Sequence, residues 1–141
     1  MTVDLSDTAP EDVEQLVIAW LTPLRRCGAE RRSNDPLPFT LVTHVAGAED
    51  EQISTAEPIV SVHTLCDKSL GLKAAAAECK LTHRRMLYLA QHISDIPLLN
   101  ARLVNIDYIT VVESPRWEYY SDLILRKVAR YAVGLTYTAA L

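Results

Sequence analysis

The chain has 141 residues, 49% hydrophobic and 23% charged, which is room for one domain around one core and excludes the low-hydrophobicity, high-charge signature of disorder. Fourteen Lys+Arg against eighteen Asp+Glu leave a formal charge of -4, so no overall basic footprint draws it to nucleic acid or anionic lipid. Its uncharged apolar runs are too short to cross a bilayer, its acidic start lacks the basic and apolar regions of a secretory signal, and the odd set Cys27, Cys66 and Cys79 makes no disulfide framework. A cytosolic chain with reduced thiols is the expectation.

Val13, Leu16, Val17, Trp20, Leu21 and Leu24 recur at helical spacing and predict a helix over Asp12–Arg26. Thr8 with Glu11 fits a capping box ahead of it, and Pro23 predicts a kink or an early stop. Arg25, Arg26, Arg31 and Arg32 complement the helix dipole on one reading and form a patch for DNA or an acidic neighbour on another. After the turn Asn34–Pro38 a strand runs from Phe39 to Ala46, with Phe39, Leu41, Thr43 and Val45 on one face and Thr40, Val42, His44 and Ala46 on the other. Residues Gly47–Glu57 read as an acidic, flexible hairpin tip. Pro58 then opens a second strand, Ile59–Cys66, whose Val60, Val62 and Thr64 share a face.

Asp67 or Ser69 caps a second helix, Leu70–His92, with a stripe of Leu72, Ala76, Cys79, His83, Met86, Ala90 and Ile93. Pro97 closes that stretch, and alternation from Leu103 through Val112 predicts a third strand. Ser114–Asp122 reads as an aromatic turn. Leu123–Thr138 reads as a final strand, with a helix over Asp122–Ala132 as the alternative. The order helix, strand, strand, helix, strand, strand predicts one α+β domain over 1–141, a small, mostly antiparallel sheet of about four strands with two helices packed against it.

Four scattered glycines form no phosphate cradle, and no G-x-S-x-G elbow or Ser/His/acid grouping suggests a nucleophile, so a non-enzymatic protein without a cofactor is expected. Glu49, Asp50 and Glu51 lie on a loop too mobile for acid–base geometry, which leaves them as a solvated tip or a protein contact. Arg116, Trp117, Tyr119 and Tyr120 concentrate the residue types enriched at binding hot spots; on the other reading Trp117 and Tyr120 plug the end of a small core. His63-x2-Cys66 followed by Cys79-x3-His83 has nearly the spacing of a zinc finger. Against it, residues 63 and 66 fall on opposite faces of a strand, and Cys79 and His83 lie in an apolar helix stripe, so no metal site is assigned.

The chain resembles the tail terminator, or tail-completion, proteins of siphovirus-type bacteriophages. The likeness rests on the helix Asp12–Leu21, Leu37–Val42 entering a strand, the acidic hairpin after Gly47, Pro58–Val62, the Ala-rich helix with His83–Met86, Tyr108–Pro115 and the closing Arg126–Leu135. It is a likeness of order and spacing over nearly the whole length. It implies a virion protein at the neck end of the tail, assembled in the bacterial cytoplasm as a hexameric ring. That ring caps the tail tube, ends its polymerisation and offers the joint to head-completion or connector proteins, with DNA passing through the lumen without specific binding and no membrane partner. Glu49–Glu51 and Arg116–Tyr120 are then the candidate contacts with the tube or the adjacent subunit. Another neck or head–tail connector protein, and more distantly a small zinc-binding regulator, are the alternatives.

Overall fold

The computed structural model describes residues 2–98 and 100–140. In chain order the elements are β1 (Thr8–Ala9), α1 (Val13–Leu21), β2 (Cys27–Gly28), β3 (Phe39–Asp50), β4 (Thr55–Asp67), a turn of 3-10 helix (Lys68–Leu70), α2 (Leu72–Gln91), β5 (Ile96–Pro97), β6 (Leu103–Val104), β7 (Tyr108–Tyr119), β8 (Ile124–Thr136) and β9 (Thr138–Ala139). The main sheet has the order β2-β3-β4-β8-β7, and two small ribbons pair β1 with β9 and β5 with β6. Every neighbouring pair is antiparallel except β2 with β3.

The α+β expectation holds, and the sheet is larger than the four strands expected. A fifth strand, β2, joins its edge, and among the described residues nine strands form in all. The short ones leave no periodic signal, because two residues cannot display a period.

Alternation along the long strands gives the sheet its two faces. Val42, Val62 and Ala129 make one cross-strand row and Val60, Tyr131 and Val111 another. Against these pack Val13, Leu16, Val17, Trp20 and Leu21 of α1 with Met86 and Leu89 of α2, in one apolar cluster. The opposite face carries mixed rows: Leu41, His63, Val128 and Arg116, and next to it Thr43, Ser61, Arg130 and Glu113.

Several boundaries differ from the sequence reading. Asp12, not Thr8, caps α1, its carboxylate accepting from the amides of Glu14 and Gln15; Thr8 belongs to β1 and Glu11 pairs with Arg102. The helix stops at Leu21, two residues before Pro23, which is the early stop that proline predicts. The 47–57 segment is mostly strand: β3 continues to Asp50 and β4 resumes at Thr55, with Pro58 inside β4 opposite Gly47. Gly47 has φ 137°, and a Cβ there would lie 2.6 Å from the Cα of Pro58, so glycine alone fits.

In α2 the buried residues are Ala75, Cys79, Thr82, Met86 and Leu89, a stripe turned by about one residue from the expected one. Leu72 and Ile93 are exposed. The helix ends at Gln91, and Pro97 pairs in β5. The third strand is broken: Leu103 and Val104 pair with β5, whereas β7 starts at Tyr108 and runs through the supposed aromatic turn to Tyr119. Between the two readings of 122–132, strand is correct.

Candidate functional site

The two ends of the sheet differ in chemistry. At the end where β3 turns into β4, Glu49 accepts from the Tyr137 hydroxyl at 2.6 Å, Asp50 accepts from the Gln52 amide at 3.1 Å, and Glu51 stands exposed in the turn. The hydrogen bond to Glu49 and the neighbouring carboxylates push the Tyr137 phenol up to about 12. Glu57 accepts from Tyr108, and Asp107 accepts from the Thr136 hydroxyl at 2.7 Å. The Tyr108 ring lies flat on Gly134, so close that any Cβ there would overlap it.

The start of α1 adds to this end. Glu14 accepts the His44 amide at 2.7 Å, and Asp12 and Glu14 line a cleft of about 570 Å³ with Gly47, Ala48 and Glu49. Glu11 takes Arg102 and the Thr138 hydroxyl, Asp95 lines a depression beside Arg102 and Asp107, and Asp7 holds the amide of Ala140 through its carbonyl. Eight carboxylates are placed at this end by those contacts and clefts, those of Glu11, Asp12, Glu14, Glu49, Asp50, Glu57, Asp95 and Asp107, with the guanidinium of Arg102 among them.

At that far end β7 turns into β8. Trp117 is 41% exposed with the Lys127 ammonium 5.0 Å from its ring centre, and Tyr119 is 74% exposed with its hydroxyl on Asp122 at 3.0 Å. Arg126 lies 5.2 Å from the Tyr120 ring and donates to the Tyr119 carbonyl at 2.7 Å, which pins the turn. Arg116 pairs with Glu113 and, at 3.4 Å, with Glu118. Trp117 and Tyr119 form one wall of a groove of about 300 Å³ whose other wall is Lys68 and Leu72. Leu70, Leu72 and Leu123 are each more than half exposed around it. A concentration of exposed apolar side chains of this kind marks a contact surface, whereas scattered single ones do not.

The structure thus separates the candidate contacts into two groups at opposite ends of one sheet, Glu49–Glu51 at one and Arg116–Tyr120 at the other. The aromatics sit on a strand and its turn, held by pairing with β8, and neither Trp117, which is exposed, nor Tyr120, which is half-buried, belongs to the apolar core cluster. Sequence reasoning missed Lys68, Leu70, Leu72 and Leu123, whose only signal was apolar residues beside a predicted cap. It also missed Asp12, Glu14, Asp95 and Asp107, which come from segments distant in the chain.

The zinc-like spacing distributes its four residues over different environments. His63 lies on the sheet face away from the helices, where burial and then the Arg126 charge hold its imidazole down to about 4. Cys66 and Cys79 are buried on the α2 side. Burial pushes both thiols up, Cys66 to about 11, which makes them inert. His83 Nδ1 is bonded to the Tyr131 hydroxyl at 2.6 Å. Among the described residues no group of three or more His, Cys, Asp or Glu is placed to hold a metal ion.

Of the four arginines near α1, Arg25 does not serve the helix dipole. It is 6% exposed and donates to the Thr40 hydroxyl at 3.0 Å, the Glu78 carbonyl at 2.9 Å and the Glu78 carboxylate at 2.8 Å, besides Thr82. Arg26 pairs with Asp35 at 3.2 Å, and Arg31 donates to the Asp35 carbonyl, so these close the 29–38 loop. No known family's sequence profile matches the chain, and no curated protein matches it.

Proposed function

We propose that the protein is a non-enzymatic phage assembly subunit that caps the head-proximal end of the tail tube, ends tube polymerisation and offers the joint to the head-completion proteins, working as a hexameric ring. The observation that carries this reading is the bipolar surface: an acidic hairpin end and an exposed Trp/Tyr/Leu end on one strand-paired body. A ring subunit at a joint needs separate surfaces for its neighbours and for what lies above and below, held at fixed spacing. Long paired strands give that fixed spacing, and rigid aromatics give contact area at small entropic cost. The resemblance in element order and spacing to siphovirus tail terminators supports the same reading.

The test is a tube-length assay. Tail-tube protein polymerised with the purified chain is expected to give shorter tubes, each closed at one end, in electron micrographs. Trp117→Ser, at an exposed position, is expected to keep the fold by circular dichroism and lose the arrest. Tubes of unchanged length, with retention of the chain on portal protein instead, would move the assignment to a connector role.

A further inference from the structure

α2 carries one acidic side chain, Glu78, and that one is already bonded to Arg25. The solvent face of the helix is left to cations. At about 100° per residue, positions 73, 80 and 84 fall within about 40° of one another. Lys73, Lys80 and Arg84 are all exposed there, with the small Ala77 exposed between them. None of the three lies within ion-pair distance of a carboxylate among the described residues. Leu81 and Tyr88 stand 45% and 51% exposed along one side of this stripe.

The acidic end of the sheet carries the opposite sign, equally unmixed. A cleft of about 380 Å³ there is lined by Glu49, Asp50, Glu57 and Asp107 with Thr55 and Tyr108, and among the described residues by no Lys, Arg or His. All four carboxylate residues are exposed. They come from β3, from β4 and from the residue ahead of β7, and the strand order β3-β4-β8-β7 spreads them across the end of the sheet. Three strand spacings make that row about 14 Å wide, and at about 1.5 Å per residue the stripe from Lys73 to Arg84 is about 16 Å long. We propose that the α2 face of one copy of this chain docks on the acidic end of a second copy, Lys73, Lys80 and Arg84 meeting the row of carboxylates while Leu81 and Tyr88 pack against Tyr108.

Sign and span together select this occupant. Within one chain the two surfaces are held apart, so they meet only between copies. α2 on α2 would set cations against cations, and end on end would set carboxylates against carboxylates, and like charges brought together are repelled. A single exposed ion pair contributes little, so it is the row of them, with the apolar flank beside it, that holds the contact. A contact between unlike surfaces closes into a ring when the rotation per copy allows and propagates otherwise. These are the surfaces by which the proposed ring would close, so the contact rests on that reading's self-association.

Native mass spectrometry and light scattering at submillimolar concentration in low salt are expected to find multiples of the 15.7 kDa chain. Raising salt to about 1 M, where the screening length is about 3 Å, is expected to return single chains. Lys80→Glu/Arg84→Glu and Glu49→Lys/Glu57→Lys, each folded by circular dichroism, are each expected to give single chains alone. Mixed, they are expected to reassemble with the two variants in equal number, since each then offers the sign its neighbour needs. Lys80→Gln/Arg84→Gln, which removes charge at two exposed helix positions and reverses none, is expected to weaken association about tenfold. A wild-type chain that stays single in low salt, an assembly that survives both reversals, or a mixture that does not reassemble overturns the proposal. An assembly that stops at two copies and is broken by both reversals keeps this contact and removes the ring. Single chains that still arrest tubes would remove this contact and leave the rest of the proposed function standing; assembly through this contact without arrest would do the reverse.

Discussion

Arg25 shows how far one side chain's environment can depart from its place in the sequence. Two residues past Pro23 it could as well have pointed to solvent, yet it crosses under α2 and ties Thr40 of β3 to Glu78 and Thr82 of α2. A buried guanidinium is tolerated when most of its donors are used, as both terminal nitrogens are here while Nε has no partner, and removing it leaves Thr40 and the Glu78 carboxylate short of a partner. Because the Glu78 side chain is itself 37% exposed and can turn to water, Arg25→Met is expected to cost about 2 kcal/mol, measured by urea unfolding. Adding Glu78→Gln should recover part of the loss.

His63 is the residue through which pH acts on stability most directly. A free imidazole titrates near 6.5, whereas His63 in the fold is held down to about 4 by burial and by Arg126, whose guanidinium lies 3.5 Å from Nδ1. As pH falls the unfolded chain therefore takes up the proton first. Its contribution is complete above about 6.5 and is lost as pH falls toward 4. His83, lowered in the same direction by burial, adds to the decline. His63→Gln is expected to flatten the fall in urea midpoint between about pH 7.5 and pH 5. An unchanged slope would show that His63 is solvated.

At the level of elements, α2 tests which face of a helix a sequence reveals. Its composition offers two adjacent stripes, and Leu72 with Ile93 makes one look the more apolar. The one buried runs through Ala75, Cys79, Thr82, Met86 and Leu89. Thr82 is accepted there because it bonds back to the Glu78 carbonyl at 3.2 Å and receives Arg25. Met86→Ala is expected to cost about 3 kcal/mol, while Leu72→Ala, at an exposed site, should change thermal stability by less than about 0.5 kcal/mol. The reverse ranking would mean the helix is rolled.

Much of the fold was legible in this way, for physical reasons. The helices and the core of the first strand declared themselves by period, since each has one buried face, whereas β4 and β8, buried on both faces along much of their length, showed as runs of β-forming residues. Both faces of the first strand were assigned as found as far as His44, where a bulge shifts the register. The strand ends were not legible, because Glu49, Asp50, Trp117 and Tyr119 lie where strands run on past the core, and an exposed strand needs no apolar alternation. Pairing partners supplied by distant segments hold those residues in line. The cap was misplaced for a related reason: Thr8 and Glu11 had better partners in β9 and Arg102, contacts that span most of the chain.

For the whole molecule, the segregation of charge is the feature that one dimension hides. Acidic residues at 11–14, 49–57, 95 and 107 look dispersed along the chain and gather only when β3, β4 and β8 bring their ends together. The aromatic end was legible as a cluster because one hairpin supplies it. Which neighbours it has, Lys68 and Leu72, was not, since they arrive through the β4–α2 junction.

The strand order has one more consequence. Each long hairpin, β3–β4 and β7–β8, is complete by local contacts, but β4 and β8 face each other across the middle of the sheet, from Thr55 opposite Thr136 to Asp67 opposite Ile124. The entropy of closing the long loop between them falls on that single seam. Until it forms, β4 and β8 each add a long unsatisfied edge to those that β3 and β7 keep in the folded sheet, and such an edge will pair with whatever strand it meets first. α2, spanning the gap and packing on both strands of the seam, is the element that makes its own chain's strand the nearest one.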